Sequence, residues 1–82
     1  MKLTAEISMY PLKEEYIPPI DAFIARLAAV SGLVVVTTAT STRVTGEFDL
    51  VADTLRDAMR ESHDVHGRAV FVTKFIPGFA PD

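Results

Sequence analysis

Two runs with apolar residues at helical spacing, each set between runs with strand character, divide these 82 residues into an order that few folds accommodate. In residues 2–10, Leu3, Ala5, Ile7 and Met9 alternate with Thr4, Glu6, Ser8 and Tyr10, the period of a strand with two unlike faces. Pro11 stops that strand, Lys13-Glu14-Glu15 is a charged connection, and Pro18-Pro19 favour the first turn of a helix. Ile20, Phe23, Ile24, Leu27 and Val30 then form one stripe, and Gly32 stands where a helix end wants a left-handed residue. Residues 33–38 and 42–48 are rich in β-branched side chains and predict a hairpin joined through Ala39-Thr40-Ser41.

Asp49 can cap a second helix that turns Val51, Leu55, Ala58, Met59 and Ser62 inward and Asp53, Arg56, Asp57 and Arg60 to water. This helix is predicted to end near His63, with a turn over 64–67. A last strand over 68–76 is halted by Pro77-Gly78, and residues 79–82 receive no assignment. The order βαββαβ with right-handed crossovers predicts an α+β, ferredoxin-like fold, a four-stranded antiparallel sheet with two helices on one face. A chain this short has apolar surface for one core, so residues 1–82 are expected to form a single domain.

The two faces of that sheet pose a problem. In the second strand Val34 and Val36 oppose Leu33 and Val35, and in the last Val70 and Val72 oppose Phe71 and Phe75, so both faces read as buried. Scattered exposed apolar side chains at strand edges would need no partner. A homodimer or homotetramer, packed sheet on sheet or edge on edge, explains more of the pattern. Hydrophobic residues make up 49% of the chain, too many for disorder, and with no cysteine neither disulfide nor thiolate chemistry is available. A net charge of −3 with dispersed Lys and Arg argues against nucleic acid. Lys2 and Glu6 interrupt any signal-like start and no segment reaches membrane-spanning length, so a cytoplasmic protein without a membrane partner is expected.

Catalytic chemistry finds little footing. His63 and His66 are two potential metal ligands, but a helix end also attracts His through its dipole, so no metal site is assigned. No Gly-x-Ser-x-Gly elbow or Gly-rich phosphate loop occurs, and no catalytic residue or cofactor is assigned. A small enzyme using Glu6 or Glu47 with a His is the weakest reading. What stands out is the hydroxyl-rich run Thr37-Thr38-Ala39-Thr40-Ser41-Thr42-Arg43, which suits strands and turns by composition alone. Ser8 and Tyr10 fall beside it if the first and third strands are neighbours, and hydroxyls with an aromatic ring can hold a planar polar ligand. Glu6 can accept hydrogen bonds from an exocyclic amine or offset a ligand cation.

Ser8-Met9-Tyr10-Pro11-Leu12, Tyr16-Ile17 leading into Ile20, Ser41-Thr42 followed by Gly46-Glu47, and Phe75-Ile76-Pro77-Gly78 resemble, in that order, the YkoF-like thiamine- and hydroxymethylpyrimidine-binding family. The resemblance implies a ferredoxin-like domain, non-enzymatic binding of thiamine or its pyrimidine moiety, and assembly through paired domains. A chain with one such domain would have to pair as a homodimer. Carried over by resemblance, Ser8, Tyr10, Tyr16, Ser41 and Thr42 are the expected ligand-binding residues, flanked by Arg43 and Glu47, and Glu6 is added to them from the reading of the first strand's polar face. A regulatory or structural oligomerisation module without thiamine binding is the competing expectation.

Overall fold

The computed structural model describes residues 1–81. Their elements run β1 (Lys2–Pro11), α1 (Ile17–Ala28), β2 (Val34–Thr37), β3 (Thr42–Glu47), α2 (Phe48–His66) and β4 (Ala69–Pro77). The strands form one sheet in the order β2-β3-β1-β4, and every pairing is antiparallel. This is the ferredoxin-like arrangement, in which β1 and β3 are central and β2 and β4 are edges.

Strand period and helix stripe meet in one core. Leu3, Ala5 and Ile7 of β1 and Val44 of β3 point to the helices, where Phe23 and Leu27 of α1 and Val51, Leu55 and Ala58 of α2 complete the buried cluster. Phe71 of β4 reaches the same layer, its ring centroid 5.1 Å from that of Phe23 at a tilt of 48°. Arg26 of α1 closes the outer seam between the helices with an ion pair to Glu61 of α2 at 3.1 Å.

Several boundaries differ from those expected. The second helix runs through the anticipated turn to His66, because Asp64, Val65 and His66 are all tolerated in a helix and the stop is Gly67. Gly67, at φ 87°, donates its N–H to the His63 carbonyl at 2.9 Å, a left-handed closure that a side chain would strain. At the other end Asp49 is not the cap. The helix begins at Phe48, whose N–H is satisfied by the Met1 carbonyl at 2.9 Å. Met59 lies outside the buried stripe, and Thr54, one turn from Val51 and Ala58, takes its place. The first helix stops at Ala28, two residues before Val30.

Gly46 sits where β3 leaves no room for a side chain. A Cβ added there would lie 2.7 Å from Leu33 Cδ2 and 3.0 Å from the Gly32 carbonyl oxygen. The leucine can rotate, but the backbone oxygen cannot leave without moving the α1–β2 turn. Gly46→Ala is therefore expected to destabilise the fold by about 1–3 kcal/mol, read as a lower urea midpoint with unchanged slope.

The helix-free face of the sheet is only partly covered. Near Thr4 the chain after β4 folds back: the Gly78 N–H bonds the Lys2 carbonyl at 2.7 Å, and the Thr4 hydroxyl donates to the Phe79 carbonyl at 2.6 Å. Of the tail left unassigned from sequence, Asp82 lies outside the described residues. Elsewhere on this face Val34, Val36, Val70, Val72 and Ile76 are exposed, so the second buried face expected from sequence is open in the single chain. Phe75, expected to oppose Val70 and Val72, does so by register with Ala5, yet it is also exposed.

Candidate functional site

A cavity of about 560 Å³ opens where the end of β1, the first half of α1 and the β2–β3 connection converge. Ile7 and Met9 come from β1, and Ile20, Phe23 and Ile24 from α1, giving it apolar walls. Tyr10, Tyr16, Asp21 and residues 37–42 supply the polar rim. The volume is in the range of small-molecule pockets, which combine apolar walls with a few fixed polar groups.

Local sequence explains the rim. Pro18 and Pro19 start α1 immediately after Tyr16, so its first exposed turn carries Ile20 and Asp21 to the cavity. The β2–β3 connection is braced by its own alcohols. The Thr38 N–H donates to the Ser41 carbonyl at 2.8 Å, while Thr38 Oγ1 accepts from the Ser41 N–H at 3.1 Å and the Thr40 N–H at 3.3 Å. The Thr38 and Ser41 hydroxyls lie 3.2 Å apart. From β1, Ser8 Oγ donates to the Thr40 carbonyl at 3.1 Å and fastens the connection to the sheet. Such short side-chain-to-backbone bonds hold a turn in one shape.

Half of the eight residues expected from sequence converge and the others do not. Tyr10, Tyr16, Ser41 and Thr42 come together in the cavity lining. Thr42, 6% exposed as a residue, lines the cavity beside Ile7, its register partner. Ser8 does not line the cavity and acts on it through Thr40. Glu6 and Arg43 are register partners, and Glu6 is engaged by Lys74 at 3.3 Å. Their positions share the parity of Thr4 and Thr45, on the face away from the helices. Glu47 stands at the far end of β3, where Lys2 at 3.2 Å and the N-terminal ammonium at 3.6 Å hold it.

The hydrogen bond from Lys2, then the Lys2 charge and the N-terminal charge, lower the Glu47 carboxyl from its ordinary value of 4.5. A folded-state value below the unfolded one stabilises the fold above about 4.5, and this contribution is lost as pH falls through the lowered value. Glu47→Gln is therefore expected to lower the thermal midpoint slightly at neutral pH, with the gap to the unmodified chain closing in acid. The pair is exposed, so the gap should also shrink in high salt.

Sequence reasoning overlooked Asp21. It is the carboxylate of the lining, and among the described residues it has no ion-pair partner within 4.0 Å. Ile20 and Ile24, read from sequence as core, are only partly buried because they face this opening. A signal was available in Asp21 flanking that stripe at the helix start, but only the packed fold reveals that the stripe's first turn borders a cavity. His63 and His66 lie at the end of α2 with exposed His63 3.7 Å from Asp64, and no group of three potential metal ligands occurs among the described residues.

A ferredoxin-like sheet with a cleft between its first helix and its hairpin connection defines the structural class. The chain belongs to the YKOF-related family, whose model matches residues 2–75. It is similar in structure to a Streptococcus pneumoniae protein, with 26% identity and a TM-score of 0.86 over 96% of this chain and 89% of that one. A Thermotoga maritima protein, named as a candidate thiamine biosynthesis or salvage protein, is 23% identical with a TM-score of 0.81 over 92% of this chain and 82% of its own. A Methanocaldococcus jannascii hypothetical protein is 22% identical with a TM-score of 0.81, over 99% and 84%. No functionally curated protein matches the chain.

Proposed function

We propose that this protein binds thiamine, or the hydroxymethylpyrimidine half of it, without chemically changing it, and does so as a homodimer. The observation that carries the reading is the cavity of about 560 Å³, whose apolar walls from β1 and α1 meet a rim of hydroxyls and one carboxylate. Apolar walls suit the faces of an aminopyrimidine ring, while Thr42 and Ser41 offer partners to its nitrogens and exocyclic amine. Membership in the YKOF-related family and the thiamine-linked name of the Thermotoga maritima neighbour support the same ligand class. Hydroxyls and a single carboxylate suit recognition better than bond cleavage, which calls for a positioned acid and base.

The dimer rests on the helix-free face. Val34 and Val36 at one edge and Val70, Val72 and Ile76 at the other leave an apolar surface that a second copy would cover. The same valines favour the competing module that assembles but binds no thiamine, and the two readings separate in one experiment. Calorimetric titration with thiamine and with free hydroxymethylpyrimidine is expected to give one site per protomer. A Ser41→Ala, Thr42→Ala double variant is expected to bind roughly tenfold more weakly, the loss of about one good hydrogen bond, with its fold retained. Absence of heat at millimolar ligand, with a thermal midpoint indifferent to thiamine, would leave the oligomerisation module standing.

A further inference from the structure

The charge around the cavity is one-sided. Among its lining residues Asp21 is the one acid, and none is Lys, Arg or His. The nearest basic side chains by sequence are engaged elsewhere: Arg26 with Glu61 at 3.1 Å, and Lys13 with the His66 carbonyl at 3.3 Å. Arg43 is turned to the other face of the sheet beside Glu6. Tyr10 and Tyr16, each about half exposed, belong to the same lining as the carboxylate, although Tyr10 shares the strand parity of Ser8 and Glu6. Aromatic faces and a carboxylate both attract cations, and neither favours a phosphate, which needs donors or positive charge.

We infer that this cavity selects a cationic, unphosphorylated ligand, with Asp21 as the side chain that reads the charge. The inference rests on the reading that the cavity holds the pyrimidine half of thiamine, and it adds which form is taken. Thiamine joins that neutral ring to a thiazolium cation; its diphosphate carries excess negative charge. Asp21 attracts the first through space and repels the second, and Tyr16, in the same lining, offers ring surface to the cation. Because the carboxylate is solvent-exposed, its effect is moderate and declines with salt.

The test is a calorimetric comparison of thiamine, neutral hydroxymethylpyrimidine and thiamine diphosphate on the unmodified protein and on Asp21→Asn, at about pH 8, where carboxylates are ionised. Thiamine is expected to bind more tightly than hydroxymethylpyrimidine, and the diphosphate at least roughly tenfold more weakly than thiamine. Asp21→Asn is expected to weaken thiamine roughly three- to tenfold, to leave hydroxymethylpyrimidine unmoved and to narrow the gap to the diphosphate. Added salt should reduce thiamine affinity in the unmodified protein and not in the variant. If hydroxymethylpyrimidine binds but thiamine is no tighter, or if Asp21→Asn changes both equally, charge reading is overturned and the pyrimidine pocket survives. If neither thiamine nor hydroxymethylpyrimidine binds the unmodified protein, the pocket reading falls and this inference falls with it.

Discussion

Ile20→Trp is expected to abolish measurable thiamine binding while leaving the fold intact. Ile20 lies on the first turn of α1, half-buried, with its outer side against the cavity. An indole at this position extends into the space between α1 and the β2–β3 connection, the space a planar ring would need. A bulky side chain placed in a filled core costs about 1–3 kcal/mol through strain, but here the added volume enters an open cleft and the cost should stay near the lower end. Affinity should fall by roughly a hundredfold or more, about 2.7 kcal/mol, because the ligand must displace packed indole rather than water. Calorimetry for binding and a thermal melt for stability decide the matter together. Unchanged affinity in a folded Ile20→Trp protein would place the ligand elsewhere.

The contrast between fold and site follows from what each depends on. Leu3, Ala5, Ile7 and Met9 announce a strand with two unlike faces, and Phe23, Leu27, Val51, Leu55 and Ala58 announce the stripes that cover one of them. Periodicity is a local property, so elements and their order were legible. The end of α2 was not, because Asp64, Val65 and His66 carry no strong stop and the decisive residue is Gly67.

Within β3 the site depended on which side of the sheet each residue takes, and a single-position parity decides it, whereas Tyr10 at the end of β1 joins the lining despite sharing the parity of Glu6. Thr42 shares the side of Ile7 and Val44 and reaches the cavity, whereas Arg43 shares the side of Glu6 and does not. Strand adjacency placed Ser8 near the hydroxyl-rich connection, and its bond to Thr40 reflects that proximity. Adjacency alone could not distinguish a residue that lines the cavity from one that fastens its rim. Asp21 was hidden for a different reason: no periodicity marks a helix residue as facing a cavity until the hairpin connection is seen opposite it.

Val34→Glu combined with Val70→Glu is expected to convert the protein to a monomer that still binds thiamine. The two valines lie on opposite edge strands, and by register their direct cross-strand neighbours are Thr45 and Tyr10, neither of which is a cation. Val34 is 64% and Val70 47% exposed, so in the single chain both glutamates remain hydrated and the fold is not disturbed. In a sheet-on-sheet dimer each would be desolvated without a partner, at about 2–5 kcal/mol apiece. Even one such penalty per dimer raises the dissociation constant by roughly thirtyfold, and the symmetry of a two-fold interface repeats each change on both copies, so a shift of about a thousandfold or more is expected. Sedimentation equilibrium over a concentration series reads it directly, and a dimer that persists at the original strength would remove the open face from the interface. Ile7, Met9, Phe23 and Thr42 line the cavity from the helix side of the sheet, opposite the face that carries Val34 and Val70. Thiamine affinity in the monomeric variant should therefore match that of the dimer, and a parallel loss of binding would mean that the ligand site is shared between copies.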